Sequence, residues 1–133
     1  MPSPASIPRT LTQTASLVAF FAELREAADT LAKARGQIDA QSTLTETRAL
    51  LDAASTAMQR LHAASQDQTP PATQLQAETF ALRELAAARR HHELATRSPE
   101  TCRAACELAL RCLLRAVDNL LVHLIPNTLS PLP

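Results

Sequence analysis

The stretch SPETCRAACELALRCLLRAVDNLLVHLI, from Ser98 to Ile125, decides the fold of this 133-residue chain. Successive residues of an α-helix turn by about 100°, which sorts these side chains onto a charged face and an apolar face. The charged face carries Glu100, Arg103, Glu107, Arg111, Arg115 and Asp118. The apolar face carries Cys102, Cys106, Ala109, Leu110, Leu113, Ala116, Val117, Leu120 and Leu124. A helix this one-sided, about 39 Å long at about 1.5 Å per residue, needs packing partners along its whole length.

Both ends of this helix carry recognisable signals. Ser98 is a favoured N-cap residue, Pro99 fits the first helical position, and Glu100 places negative charge in the first turn. Pro126 lacks an N–H and predicts that the helix ends before it. We therefore expect the helix to span residues 98–125.

The composition favours helix along the rest of the chain. Ala and Leu dominate, Gly occurs once, and Trp and Tyr are absent, so a strand-based core has little to use. The 13 basic and 13 acidic side chains cancel, which argues against nucleic acid or an anionic membrane surface as a partner. No apolar run resembles a secretory signal or a membrane span, and three cysteines are compatible with free thiols in a reducing cytoplasm.

Two earlier segments predict helices with heptad-like seams. Thr10 and Gln13 fit a capping box, and the single glycine, Gly36, fits a C-terminal position with positive φ. Thr43 and Glu46 fit a second capping box. The first seam consists of Leu17, Phe20, Leu24, Ala27 and Leu31, widened by Phe21 and Ala28. The second consists of Leu44, Leu51, Ala54, Met58 and Leu61.

The third predicted helix, which Thr69 and Pro70 start, is the least regular. Its first apolar stripe consists of Leu75, Leu82, Leu85 and Ala86. A second stripe of Phe80, Ala87 and Leu94 lies about 140–180° away around the helix. Glu78 and Arg89 fall on or beside the first stripe, where a plain core helix would carry apolar groups. We therefore expect this helix to be buried on two sides or to contact something outside the domain.

These segments predict an all-α fold, an up-down-up-down four-helix bundle, because short links between long helices make neighbours antiparallel. The expected helices span about 10–35, 43–65, 70–96 and 98–125, within a single domain at 10–126. Residues 1–9 are expected to be a disordered Pro/Ser-rich leader, and 127–133 a C-terminal tail. A three-helix bundle with a swapped or dimerising third helix is the alternative.

The sharpest candidate for chemistry is a zinc or copper site. Cys102 and Cys106 share one helical face, and His91 and His92 end the preceding helix, so two thiolates and an imidazole could converge. The spacing matches no common zinc motif, however, and both cysteines lie in the apolar stripe, where cysteine often acts as a small buried hydrophobe.

Other catalytic patterns are absent from the sequence. Cys112 and His123 are about 16 Å apart along one helix, too far for a dyad. A di-iron bundle would need Glu-x-x-His motifs, and one glycine allows no phosphate-binding loop. The basic cluster of Arg83, Arg89, Arg90, Arg97, His91 and His92 has no interleaved aromatic residue for base stacking. We therefore expect no enzyme activity and no cofactor.

The leading hypothesis is a non-enzymatic, cytoplasmic protein–protein interaction module, such as a small bacterial chaperone, adaptor or regulator. Phe80, Ala87 and Leu94 would form its contact with another protein or across a homodimer. The first alternative is a metal-binding bundle that uses Cys102 and Cys106 with His91 or His92. The second is a secreted effector whose leader, residues 1–9, is an export signal.

Overall fold

The computed structural model describes residues 6–34, 36–65 and 72–128, with side chains described except at 6–15, 65 and 125–128. These residues form four α-helices: α1 (Ser6–Lys33), α2 (Ala40–Ser65), α3 (Ala72–Arg97) and α4 (Cys102–Thr128). The described ranges contain no strand, and the all-α prediction is confirmed. Among them, no helix combines the length and the apolar character needed to cross a membrane.

The other helices pack around α4. It contacts α1, α2 and α3, most extensively α3, whereas α1 and α3 do not touch within the described ranges. The helices therefore form a four-helix bundle in which α2 and α4 meet across the short diagonal. Because α3 packs against helices of its own chain, the three-helix alternative with a swapped α3 is not the arrangement found.

Contacts between α1 and α4 run in opposite directions along the two helices. Arg25, within α1, pairs with Asp118 in the second half of α4. Gly36, just after α1, lies beside the start of α4, since a Cβ on it would be 4.0 Å from Arg103 Nη1. This register is that of antiparallel neighbours, as the predicted up-down-up-down order requires.

The predicted apolar face of α4 is buried in full. Its buried residues are Cys102, Ala105, Cys106, Ala109, Leu110, Cys112, Leu113, Ala116, Val117, Leu120, Leu121 and Leu124. Ala105, Cys112 and Leu121 widen the predicted face to about half of the helix circumference. This width follows from the position of α4, which has helices on three sides.

The predicted seam of α1 is partly wrong. Leu17, Leu24 and Leu31 are buried, and Phe21 and Ala28 are fully buried. Phe20 is 37% exposed and Ala27 is also exposed, although both were predicted to lie in the seam. The core line of α1 is therefore Leu17, Phe21, Leu24, Ala28 and Leu31, with alternating steps of four and three residues.

The connection between α1 and α2 confirms one prediction and corrects another. Gly36 has a φ of 69°, the left-handed conformation predicted for it after the end of α1. Helix α2 begins at Ala40 rather than at the Thr43 capping box, because the Asp39 carboxylate accepts the Ser42 N–H at 3.1 Å. Asp39 is therefore the N-cap, and Thr43 lies inside the first turn.

Helix α4 begins and ends later than predicted. The Ser98 N–H donates to the Leu94 carbonyl at 3.1 Å, so Ser98 still closes α3 instead of capping α4. The Thr101 carbonyl accepts the Ala105 N–H at 2.8 Å, which makes Thr101 the start of the α4 hydrogen-bond ladder. At the other end α4 continues past Pro126 to Thr128, because a proline in the last turn removes only one ladder bond.

Helix α1 is longer at its start than the predicted helix. It begins at Ser6 rather than at Thr10. The rest of the leader, residues 1–5, lies outside the described residues. So do residues 66–71, which include the predicted cap at Thr69 and Pro70, and residues 129–133 of the tail.

Candidate functional site

Helix α3 buries a face of small residues. Its buried residues are Ala77, Glu78, Ala81, Leu85, Ala88 and Ala95. Of the predicted first stripe only Leu85 is buried, whereas Leu75 is 48% exposed, Leu82 is 56% exposed and Ala86 is exposed. Small side chains let two helix backbones approach closely, and α3 makes its most extensive contact with α4. The prediction failed because it ranked leucine above alanine as a core residue.

Glu78 and Arg89, the polar residues on or beside the predicted apolar stripe of α3, form hydrogen bonds within α3 and to α2. Arg89 Nη2 donates to Asp52 Oδ1 at 3.0 Å and to Ser55 Oγ at 2.9 Å, both on α2. Glu78 is buried, and the Gln74 amide donates to its carboxylate at 3.2 Å. The polar residues on the inner side of α3 therefore have structural roles, which leaves the outer side as the candidate for function.

Two of the three predicted contact residues lie on the outer side of α3. Phe80 is 37% exposed and Leu94 is 54% exposed, while Ala87 between them is half-buried and packs against the core. The three residues are seven apart, so they follow one line along the helix, about 21 Å from first to last. Phe80 and Leu94 are thus the exposed apolar ends of a stripe whose middle residue, Ala87, packs against the core.

A line of arginines accompanies this stripe. Arg83, Arg90 and Arg97 each follow a stripe residue by three positions, and all three are exposed. Arg97 Nη2 pairs with Glu93 Oε1 at 3.1 Å, whereas Arg83 and Arg90 have no ion-pair partner within the described ranges. We call Phe80, Leu94 and the three arginines the α3 face. The sequence analysis grouped these arginines into a cluster with His91 and His92 and missed their seven-residue repeat.

The proposed metal ligands do not converge. His92 Nε2 lies 3.0 Å from the Leu44 carbonyl oxygen, and His91 is half-buried on the same helix. Within the described ranges, no three His, Cys, Asp or Glu side chains are close enough together to hold a metal ion. The geometry therefore gives no support to the metal-binding alternative through His91, His92, Cys102 and Cys106.

The cysteines belong to the packing of the bundle. Cys102, Cys106 and Cys112 are free and buried, and the first two pack with Ala95 and Ala105 at the junction of α3 and α4. Burial raises the pKa of the Cys106 thiol to about 11, with Cys102 beside it acting in the same direction. At neutral pH the Cys106 thiol is therefore protonated, which makes it a poor nucleophile and a poor metal ligand.

A buried threonine that the sequence analysis overlooked lies next to these thiols. Thr47 has no exposed surface, and its hydroxyl donates to the Thr43 carbonyl at 2.7 Å. This internal bond satisfies the hydroxyl within α2, so Thr47 can occupy a core position between Leu44 and Leu51. Thr47 lies between two seam residues that are seven apart, where a heptad-like seam has a second core position, so this spacing could have predicted its burial.

Comparisons with known proteins add no further guide to the role of the α3 face. No protein-family model, curated protein or solved structure matches this chain.

Proposed function

We propose that this protein is a non-enzymatic helical interaction module that binds an amphipathic helix of a partner through the α3 face. One observation carries the proposal. Phe80 and Leu94 are large apolar residues that stay exposed along one line of α3, and Arg83 and Arg90 beside them have no salt-bridge partner among the described residues. Apolar side chains concentrated on one helix, beside charges that lack partners, are typical of a helix-binding surface.

The charge of the α3 face specifies the chemistry of the partner. Arg83 and Arg90 leave two positive charges without ion-pair partners in the described part of the chain, beside the apolar Phe80 and Leu94. A helix with an apolar stripe flanked by Asp or Glu would satisfy both the apolar and the charged groups. Arginine is suited to this role because its planar guanidinium can bind a carboxylate through two hydrogen bonds.

A symmetric dimer through two copies of the α3 face is disfavoured by the same charges. Antiparallel pairing centred on Ala87 would place Arg83 of one copy near the arginines of the other copy. Like charges brought together at an interface cost free energy, and the nearby carboxylates Glu93 and Glu84 already pair with Arg97 and Arg115. The partner surface is therefore acidic and differs from the α3 face.

The cellular setting is part of the proposal. Three free, buried thiols fit a reducing compartment, which is why we assign the protein to the cytoplasm as an adaptor, regulator or small chaperone. The protonated Cys106 thiol fits a role without covalent catalysis.

Site-specific photo-crosslinking tests the proposed surface. A photoreactive amino acid replaces Phe80 or Leu94, and a matched control replaces Val122, which is 68% exposed on α4. In cells that naturally express the protein, positions 80 and 94 should give discrete adducts that the Arg83→Glu/Arg90→Glu double variant loses. Mass spectrometry of the adducts should identify acidic helical peptides. Equal yields at positions 80, 94 and 122, or adducts insensitive to the double variant, would overturn the proposal.

A further inference from the structure

A groove between α1 and α2 has the charge opposite to that of the α3 face. Glu23 and Glu26 of α1 and Glu46 of α2 line this groove, and Ala27 and Ile38 contribute apolar surface to it. All three glutamates are exposed, and none forms a salt bridge among the described residues, although Glu26 interacts electrostatically with Arg25. We call these five residues the acidic groove. It combines an apolar floor with three exposed carboxylates.

The part of the predicted α1 seam that the core does not use runs into the acidic groove. Phe20, outside the groove, and Ala27, in its lining, are seven residues apart and exposed, because the core line passes through Phe21 and Ala28 instead. Glu23 follows Phe20 by three positions, as Arg83 follows Phe80. Helix α1 therefore presents a heptad-like apolar stripe with acidic flanks and no partner in the described part of the chain.

The two surfaces match in charge and in the spacing of their apolar residues. Phe80 and Ala87 on α3 lie seven residues apart, as do Phe20 and Ala27 on α1, which is about 10 Å along each helix. In coiled coils, charges that flank an apolar seam select partners of opposite charge.

We infer that the α3 face of one copy of this protein binds the acidic groove of a second copy. This inference rests on the proposed function and names its partner. Helices α1 and α3 do not touch in the described part of one chain, so the two surfaces can meet only between molecules. The contact is heterologous, because one molecule contributes its α3 face and the other contributes its acidic groove. Repetition of this contact produces a ring or an open chain of molecules.

The contact is weak and sensitive to salt. A single helix against a two-helix groove buries less surface than a stable complex requires, so association appears only at high micromolar concentration. The ion pairs between exposed arginines and glutamates are screened as the Debye length falls from about 10 Å at 0.1 M salt to about 3 Å at 1 M. Sedimentation velocity should therefore show wild-type protein that grows in mean mass with concentration at low salt and dissociates at high salt.

Two charge-reversal variants test which surfaces meet. Arg83→Glu/Arg90→Glu reverses the charge of the α3 face, and Glu23→Lys/Glu26→Lys reverses that of the acidic groove. Each variant alone should remain monomeric, because its two surfaces then carry charges of the same sign. An equal mixture should associate as the wild type does, with the two variants alternating, because each surface again meets one of opposite charge. Glu100→Lys, an exposed reversal outside both surfaces, should associate like the wild type.

Three results would overturn the inference, and each is distinguishable from failure of the proposed function. These are wild-type protein that stays monomeric at low salt, Glu23→Lys/Glu26→Lys protein that associates normally, and a mixture of variants that does not associate. Circular dichroism melts of each variant establish that it is folded. If position 94 crosslinks to another acidic protein while any of these results holds, the proposed function stands and the self-association inference fails.

Discussion

Helices α3 and α4 lie side by side but differ in the size of the residues on their buried faces. Half of the twelve buried residues of α4 are leucine or valine, with Leu113, Val117 and Leu120 almost completely covered. Helix α3 buries mainly alanines and leaves Leu75, Leu82 and Leu94 in solvent. Amphipathic patterns therefore locate a core face only when the largest apolar residues belong to the core. On α3 the close contact with α4 selects small residues, and the large ones remain available for another surface.

The largest expected effect comes from a core leucine of α4. Leu113→Ala should lower the free energy of unfolding by about 2–5 kcal/mol, because Leu113 has no exposed surface and its loss leaves a cavity. Leu82→Ala, the matched control on the exposed side of α3, should change it by no more than about 0.5 kcal/mol. Urea denaturation measures both. Equal losses at the two positions would contradict the difference between the helices.

A substitution on the alanine face of α3 tests why that face is small. Ala81→Leu should lower the free energy of unfolding by about 1–3 kcal/mol, because Ala81 is fully buried and a larger side chain would push α3 away from its neighbours. Ala86→Leu places the same side chain on the exposed side and should be nearly neutral. If Ala81→Leu proved as stable as Ala86→Leu in urea, close packing would not explain the alanines.

Alkaline pH should destabilise the junction of α3 and α4 by a smaller amount. The pKa of Cys106 rises from 9.0 to about 11 in the folded protein, so the folded state holds its proton more tightly than the unfolded state. This contribution to stability is fully present below pH 9.0 and is lost as the pH rises through about 11.

The sequence is favourable for this measurement. It contains no tyrosine, one lysine and three cysteines, so thiols are the main side chains that titrate in the same range, and Cys106→Ala removes only one of them. Urea denaturation between pH 8 and 11 should give a steeper loss of stability for the wild type than for Cys106→Ala. Identical slopes would show that the Cys106 proton is not linked to folding.

The sequence was sufficient to predict four helices, nine of the twelve buried residues of α4 and the positive φ of Gly36, because each depends on local pattern. The local sequence pattern could not decide whether Phe20 or Phe21 of α1 is buried. Both fit a three-four alternation around Leu17 and Leu24, and only the positions of α2 and α4 decide which line is buried. The buried alanines of α3 were missed for the same reason, since the closeness of a neighbouring helix is a tertiary property.

For the candidate surface, spacing predicted Phe80 and Leu94, whose exposure the structure then revealed. Ala87 was placed with them by the same seven-residue spacing, yet it packs against the core. The role proposed for Arg83, Arg90 and the acidic groove could be recognised only in the three-dimensional structure, because it depends on which charges lack salt-bridge partners among the described residues. The sequence shows that Arg83 and Arg90 are present but not whether they form salt bridges.

The smallest expected change in stability is also the sharpest test of the outer side of α3. Leu94 and Leu82 are leucines of one helix with nearly equal exposure, 54% and 56%, but they lie on opposite flanks of its outer side. Leu94→Ser and Leu82→Ser should each change the free energy of unfolding by no more than about 0.5 kcal/mol, because neither side chain is buried. Only Leu94→Ser should weaken crosslinking from position 80 and self-association in sedimentation, because only Leu94 lies in line with Phe80 and the arginines. Equal weakening by both variants would mean that general hydrophobicity of α3, and not the α3 face, drives binding.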